Sequence, residues 1–424
     1  MTARNHKAVG FAVGAFALLF AAPASAGLGD GVRLGSGEGV LHPFVEVTGI
    51  YDSNVYTTDT GAQGDLVFHV RPGLKLDVPG EVVAIDARAA IERVQYAGLG
   101  NADTGDLSGW WGDAGLRLSV NPKGRVAFEL REAFRRSNQV QSLSLATPAI
   151  ANYNMLSATV PFMPGGGALV FALGGDWAVE AYEPLAGNGF CAPTANLNTD
   201  PSCNSALLKK LGYSDLQGRG SVIWKFLPRT QATLDAGYSM RIPNQTDAAL
   251  PAYSPELGTV RVLAGLSGLV TTQFGATIRA GYGNVSGTDV SYGTWLATVE
   301  AEWIPVQEAS VKAAYSHTIG TEPQAFYAVY SANRLSADGQ YKVARRYTAK
   351  LSARYDMIDY QVTGNDAAVG VLMIEPSVSA EVAKWLQADL GYTFTQRSSS
   401  NASAAIQTFE YTRNTVFLRA SVLY

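Results

Sequence analysis

One stretch decides the fold: Leu66-Val67-Phe68-His69-Val70-Arg71-Pro72-Gly73-Leu74-Lys75-Leu76-Asp77-Val78. Leu66, Phe68, Val70, Leu74, Leu76 and Val78 share one parity and are apolar, whereas the other parity carries His69, Arg71, Lys75 and Asp77. A period of two puts these sets on opposite faces of a β-strand, and no helical period competes with it. The pattern returns at Ala232, Leu234, Ala236, Tyr238, Met240 and Ile242 against Gln231, Thr233, Asp235, Ser239 and Arg241. It returns again at Leu386, Ala388, Leu390, Tyr392 and Phe394 against Gln387, Asp389, Thr393, Thr395 and Arg397. Such runs continue from Phe44 to Tyr424. Counting them predicts about 18 strands, each reaching the roughly 9 to 11 residues that cross a bilayer at a tilt.

The connections alternate in length. Short turns are expected at 78–81, 121–124, 164–167, 227–230, 270–273, 305–308, 342–345 and 382–385, and longer polar loops at 56–65, 138–149, 183–209, 243–256 and 398–405. Short turns at one end and long loops at the other match the periplasmic and extracellular ends of a transmembrane barrel, with both termini periplasmic. Apolar-face aromatics fall near strand ends. Trp224, Phe226, Phe274, Trp303 and Tyr347 lie beside short turns, and Tyr238, Tyr282, Trp295, Tyr315, Tyr355 and Tyr392 lie toward the loops. Two interfacial girdles are expected from them. In hydrocarbon every backbone polar group needs a partner, so a sheet with an apolar outward face must close on itself. A soluble sandwich or propeller would call for turns of similar size at both ends or a blade repeat, and the chain has neither. The predicted fold is thus an all-β, antiparallel, up-and-down transmembrane β-barrel.

The N-terminus reads as a signal peptide over 1–26, with Arg4 and Lys7, an apolar run to Phe20, and Ala24-Ser25-Ala26 before the cut. A short periplasmic segment, 27–43, is expected next, and then the barrel over 44–424. Gly fills 44 positions and Tyr 20, with only 4 His, in an even texture that contains no linker. The formal net charge of −4, more negative once Arg4 and Lys7 are removed, argues against nucleic acid as a partner. Cysteine occurs only at Cys191 and Cys203. No lipid-anchor cysteine follows the cut. In an oxidising compartment the pair is expected to form a disulfide, stabilising its loop by about 3 kcal/mol in the chain-entropy model.

The face opposite the apolar one carries both charge signs. Its lumen-lining candidates are Arg71, Lys75, Arg88, Glu92, Arg117, Arg131, Arg219, Arg241, Arg261, Arg279, Glu300, Glu302, Arg354 and Arg397. They require water, and a barrel of this strand number encloses an aqueous interior. The plain alternative is that they only brace the wall by cross-strand pairing. No nucleophile with a base, phosphate loop or metal-ligand spacing accompanies them, so neither enzyme activity nor a cofactor is expected. His317, near a loop, reads as incidental.

The last strand alternates Val416, Leu418, Ala420, Val422 and Tyr424 with Arg419 and Ser421. Leu418, Ala420, Val422 and the terminal aromatic Tyr424 are similar to the signal that barrel-assembly machinery recognises. At its other end the chain reads His42-Pro43-Phe44-Val45-Glu46-Val47-Thr48-Gly49-Ile50-Tyr51-Asp52-Ser53-Asn54-Val55-Tyr56, and the next strand holds Val70-Arg71-Pro72-Gly73-Leu74. With the hairpins that follow, these resemble the outer-membrane β-barrel porins associated with exopolysaccharide biosynthesis and export systems. The resemblance implies a Gram-negative outer membrane and its lipids, polysaccharide as the transported substrate, and a periplasmic polysaccharide export protein as partner. Trp111, Tyr153, Gln217 and Tyr182 are then candidates to slide a sugar chain. A general diffusion porin for small hydrophilic solutes is the alternative, and a scaffolding barrel a weaker one.

Overall fold

The computed structural model describes residues 29–35, 37–57, 59–99, 104–138, 149–184, 212–244, 256–287, 290–321, 329–361, 367–400 and 410–424. The signal peptide, Cys191 and Cys203 lie outside the described residues. A two-residue strand, β1 (Val32–Arg33), precedes β2 (Val40–Asp52), β3 (Asp65–Val78), β4 (Val83–Tyr96), β5 (Gly109–Val120), β6 (Phe128–Ser137) and β7 (Ala149–Phe162). There follow β8 (Leu169–Pro184), β9 (Tyr213–Leu227), β10 (Thr230–Pro243), β11 (Leu257–Leu269), β12 (Phe274–Gly287) and β13 (Ser291–Val306). The last six are β14 (Ala309–Thr321), β15 (Val329–Ala344), β16 (Tyr347–Tyr360), β17 (Ala367–Ala383), β18 (Leu386–Ser400) and β19 (Tyr411–Leu423).

From β2 to β19 each strand pairs antiparallel with the next, and β19 returns to β2, from Thr415 opposite Asp52 to Leu423 opposite Phe44. This closes an eighteen-stranded up-and-down barrel and leaves its sheet without an outer edge. The first barrel strand, β2, begins at Val40, ahead of the expected Phe44. Val40 and Leu41 pair with Asp77 and Leu76 of β3, and the chain doubles back so that Arg33 and Val32 cover them. At the other end of the chain, β18 runs to Ser400, through the start of the loop expected at 398–405. All eight short turns fall at one end. In the first of them that needs an unusual backbone, Asn121 adopts φ 53° and its amide donates to the Val126 carbonyl at 2.7 Å, a role suited to Asn.

The outward parity is apolar. Leu74, Ile91, Leu173, Leu234, Leu266, Ile278, Leu335 and Leu418 are all exposed in a belt, and Trp224, Trp303 and Tyr347 flank it at the turn end, Tyr238, Tyr282 and Trp295 at the loop end. This is the surface that hydrocarbon covers. Buried apolar clusters lie toward the loop end. One joins Val67, Val94 and Trp111; another Ile358, Tyr360 and Val369; a third Leu257, Val285, Leu296, Ile319 and Val329.

Candidate functional site

The third cluster combines residues that a regular barrel would keep apart. Leu257, Val285 and Leu296 belong to the inward parity of β11, β12 and β13. Ile319 of β14 and Val329 of β15 follow the parity of Tyr315 and Leu335, which face out. The ladders explain the contact. β13 stays with β12 up to Ser291 opposite Ser286, and β14 stays with β15 up to Thr321 opposite Val329. Between β13 and β14 the rungs toward the loops stop at Ala297 and His317. Above that rung the wall parts. The ends of β14 and β15, still paired through Tyr330 and Tyr360 to β16, roll inside the β11–β13 wall, so that their outer face packs on its inner face. Gly283 of β12 permits the approach: a Cβ there would lie 3.0 Å from Cγ2 of Ile319.

Parting a ladder leaves carbonyls without strand partners, which is costly where they are buried. Two arginines from the inner wall supply donors. Arg261 of β11 donates through Nη2 to the Ile319 carbonyl at 2.8 Å, and Arg241 of β10 through Nη1 to the Thr321 carbonyl at 2.8 Å. Arg241 is itself held in place. Its Nε and Nη2 donate to both oxygens of Asp215 at 2.8 and 2.7 Å, and its guanidinium lies 3.9 Å from the ring centroid of Tyr213. The Tyr213 hydroxyl donates to the buried Glu180 carboxylate at 2.5 Å. At the point of parting, His317 stacks on Trp295 with ring centroids 4.0 Å apart, its Nε2 lies 3.1 Å from Thr294 Oγ1, and its Nδ1 lies 2.9 Å from Asn333 Oδ1. An imidazole read as incidental is therefore the pin of the fold-back.

The fourteen lumen candidates occupy the inward parity of their strands, and most are tied to carboxylates. Arg71 bridges Glu46 at 2.7 Å and Asp113, and Arg88 reaches Glu46 at 3.6 Å. Glu92 meets His69 at 2.7 Å, Arg117 and Arg131 converge on Glu129 at 3.3 and 3.0 Å, and Arg219 pairs with Asp176 at 3.0 Å. Arg279 stands 3.9 Å from Asp235, and Arg354 joins Arg334 on the buried Asp356 at 3.0 and 2.6 Å. Among the described residues Lys75, Glu300, Glu302 and Arg397 have no ion-pair partner. Arg241 and Arg261 also cap the inrolled edge. Two of the four proposed sugar platforms are also placed otherwise. Trp111 is packed against Val67 and Val94, and Tyr182 is buried beside Glu180, so neither offers its ring to a passing chain. Tyr153 and Gln217 are partly exposed on the inner wall.

The segment that carried the resemblance forms the loop-end seam. Arg413 of β19 donates through Nε to Asp52 at 3.0 and 2.9 Å and through Nη2 as well. Asp52 also accepts the Asn54 backbone N–H at 3.0 Å, Asn54 Nδ2 donates to the Thr412 carbonyl at 3.2 Å, and the Asn414 N–H donates to Ser53 Oγ at 2.8 Å. Opposite Asp52, Asp65 gathers the N–H groups of Leu66, Gly98 and Leu99 and the Thr104 hydroxyl. Of the assembly-signal residues, Leu418, Ala420 and Val422 lie on the outward face, and the Tyr424 N–H donates to the Pro43 carbonyl at 2.9 Å.

No family model and no curated protein matches the chain. Among solved structures it is similar to OccAB3 of Acinetobacter baumannii, with a TM-score of 0.49, 9% identity, and 91% of this chain and 100% of that one covered. It is also similar to OpdK of Pseudomonas aeruginosa with vanillate, at TM-score 0.47 and 9% identity over 91% of this chain and 99% of that one. The ferric enterobactin receptor PfeA of Pseudomonas aeruginosa follows at TM-score 0.46 and 9% identity, with 91% and 80% covered.

Proposed function

We propose that this chain is a diffusion channel for small hydrophilic solutes in a Gram-negative outer membrane, narrowed near its extracellular end by the inrolled β14–β15 edge. The observation that carries this reading is the fold-back itself. A wall that parts, rolls into the lumen and is secured there by Arg241 and Arg261 sets a fixed aperture above a charged, hydrated passage. A barrel serving only as a scaffold gains nothing from orienting guanidinium groups on strand carbonyls inside its lumen. The outward belt and girdles seat the barrel in lipid, and the leader read over 1–26 sends it across the inner membrane. Purified protein in planar bilayers is expected to give steady single-channel conductance. Absence of conductance, both in the native chain and in an Arg241→Ala/Arg261→Ala variant whose edge is released, would sink the channel reading.

A second reading, passage of an exopolysaccharide alongside a periplasmic export protein, rests on the resemblance at 42–56 and 70–74. Asp52, Ser53 and Asn54 in that stretch are occupied with closing the barrel, so the stretch supports a shared way of sealing the wall more than a shared cargo. A clean gene deletion separates the two. Loss of surface polymer with precursor retained in the cell favours export, and unchanged polymer with intact conductance leaves the diffusion channel.

A further inference from the structure

We infer that the periplasmic mouth carries a binding site for multivalent oxyanions, which makes the channel anion-selective; the inference rests on the conduit reading and names the charge class of what passes. A cavity of about 650 Å³ opens there against the inner wall, lined by eight cations and three carboxylates. Lys75 of β3, Lys350 of β16 and Arg419 of β19 stand on the inward parity of their strands, with Lys342 of β15 beside them. The β15–β16 turn adds Arg345 and Arg346, and the β17–β18 turn adds Lys384. Among the described residues none of these seven reaches a carboxylate within ion-pair distance.

That distinguishes this mouth from the wall above it, where most arginines come with acids. The acids that are present are outnumbered. Glu46 is held by Arg71 at 2.7 Å and Arg88 at 3.6 Å, which leaves Asp389, beside the Gln387 amide at 2.9 Å and opposite Arg419 in the ladder, and Glu381 against the seven cations. The whole chain is net negative at −4, so an uncompensated positive sector runs against its own composition. Like charges held together in a confined, water-filled mouth raise the local concentration of counter-ions. Four of the seven are lysines, whose mobile ammonium groups suit a hydrated anion in transit more than a fixed bidentate clamp. Phe44 and Trp385 border the same cavity and offer ring surface to the carbon skeleton of an organic anion. Carboxylate and phosphate share the recognised chemistry, and citrate and inorganic phosphate are the probes that separate them.

The test is reversal potential across a KCl gradient, with about 0.1 M on the dilute side so that screening does not hide the cluster. The native barrel is expected to favour chloride over potassium by roughly tenfold. Millimolar citrate added from the periplasmic side should block the current more strongly than phosphate or citrate from the other side. Lys75→Glu/Lys350→Glu/Arg419→Glu should invert the preference, and the gentler Lys75→Gln/Lys350→Gln/Arg419→Gln should abolish it if charge reversal prevents assembly. A conducting barrel with no chloride preference, or one that the Gln variant leaves unchanged, overturns the site. If the barrel does not conduct, titration with citrate read by tryptophan fluorescence decides. Binding lost in the Gln variant then keeps the site while the conduit reading falls, and no binding overturns both.

Discussion

Arg241 serves two structures at once. Two of its nitrogens hold Asp215, the third caps the Thr321 carbonyl, and its flat face rests on Tyr213. Replacing it with Ala leaves a half-buried carbonyl and a carboxylate without their donor. A hydrogen bond to a charged group contributes about 1.5 to 3 kcal/mol, so Arg241→Ala is expected to destabilise the barrel by about that much and to loosen the inrolled edge. Single-channel recordings should show a larger or noisier open level. Arg241→Lys keeps the charge and loses the fork, so it should fall between the two. A mutant with unaltered conductance and melting would mean that the edge is held by its apolar packing alone. Asp52 invites a parallel experiment at the seam. It is buried and takes Arg413 and the Asn54 N–H together. Asp52→Asn preserves its shape and removes its charge, leaving Arg413 uncompensated. The expected cost is about 2 kcal/mol, read as a lower temperature for the folded-to-unfolded band shift on semi-native gels.

Strands were legible because a period of two needs only the identity of neighbouring residues. The fold-back was not, because parity states which side a residue faces and not which sheet lies there. Its trace is still present: His317, Ser331 and Asn333 occupy positions that should meet lipid, interrupting the apolar series set by Tyr315 and Leu335. Polar side chains at loop-end lipid positions on two adjacent strands were the available signal. A charged exception also lies deeper on the same outward face. Glu132 of β6 is exposed among Leu116, Phe134 and Leu156, and among the described residues its one hydrogen bond is from the Asn154 amide at 3.4 Å. Ladder partners place its depth. They run through Leu116, Ala87 and Leu76 to Leu41 at the turn end of β2, and through Leu156, Trp177, Leu216 and Met240 to Gly258 at the loop end of β11. Strands tilt, so this row climbs from one interface to the other, and Glu132 stands near its middle. A carboxyl at mid-belt depth is unfavourable on a lipid-facing wall. Glu132→Leu is therefore expected to stabilise the barrel by about 1 kcal/mol or more, measured as a higher urea midpoint in lipid vesicles. A lower midpoint would show that the carboxyl has a partner in the membrane.

At the scale of the whole barrel, stability is a matter of closure. The seam between β2 and β19 joins the two ends of the described strands, so its rungs form only after a loop of several hundred residues has been brought together, the slowest kind of contact to make. In a soluble sandwich, removing the last strand exposes one edge to water, and the rest of the core persists. In a membrane the same removal strips two strands, β18 and β2, of their partners at once, and hydrocarbon offers no replacement for a row of N–H and C=O groups. Arg413, Asn414 and Thr412, which bind Asp52, Ser53 and Asn54, would go with it. Truncation before Tyr411 is therefore expected to abolish assembly altogether, giving no heat-modifiable band and no membrane-inserted fraction. Full-length Asp52→Asn, by contrast, should insert and simply melt earlier. Restoring the missing strand as a separate peptide tests the reason. If unmet backbone pairing is the obstacle, a peptide of 411–424 supplied during refolding into vesicles should recover some inserted barrel, and a scrambled peptide of the same composition should not. A truncated chain that inserts and resists protease on its own would mean that β18 and β2 can pair directly, and that seventeen strands suffice to close this wall.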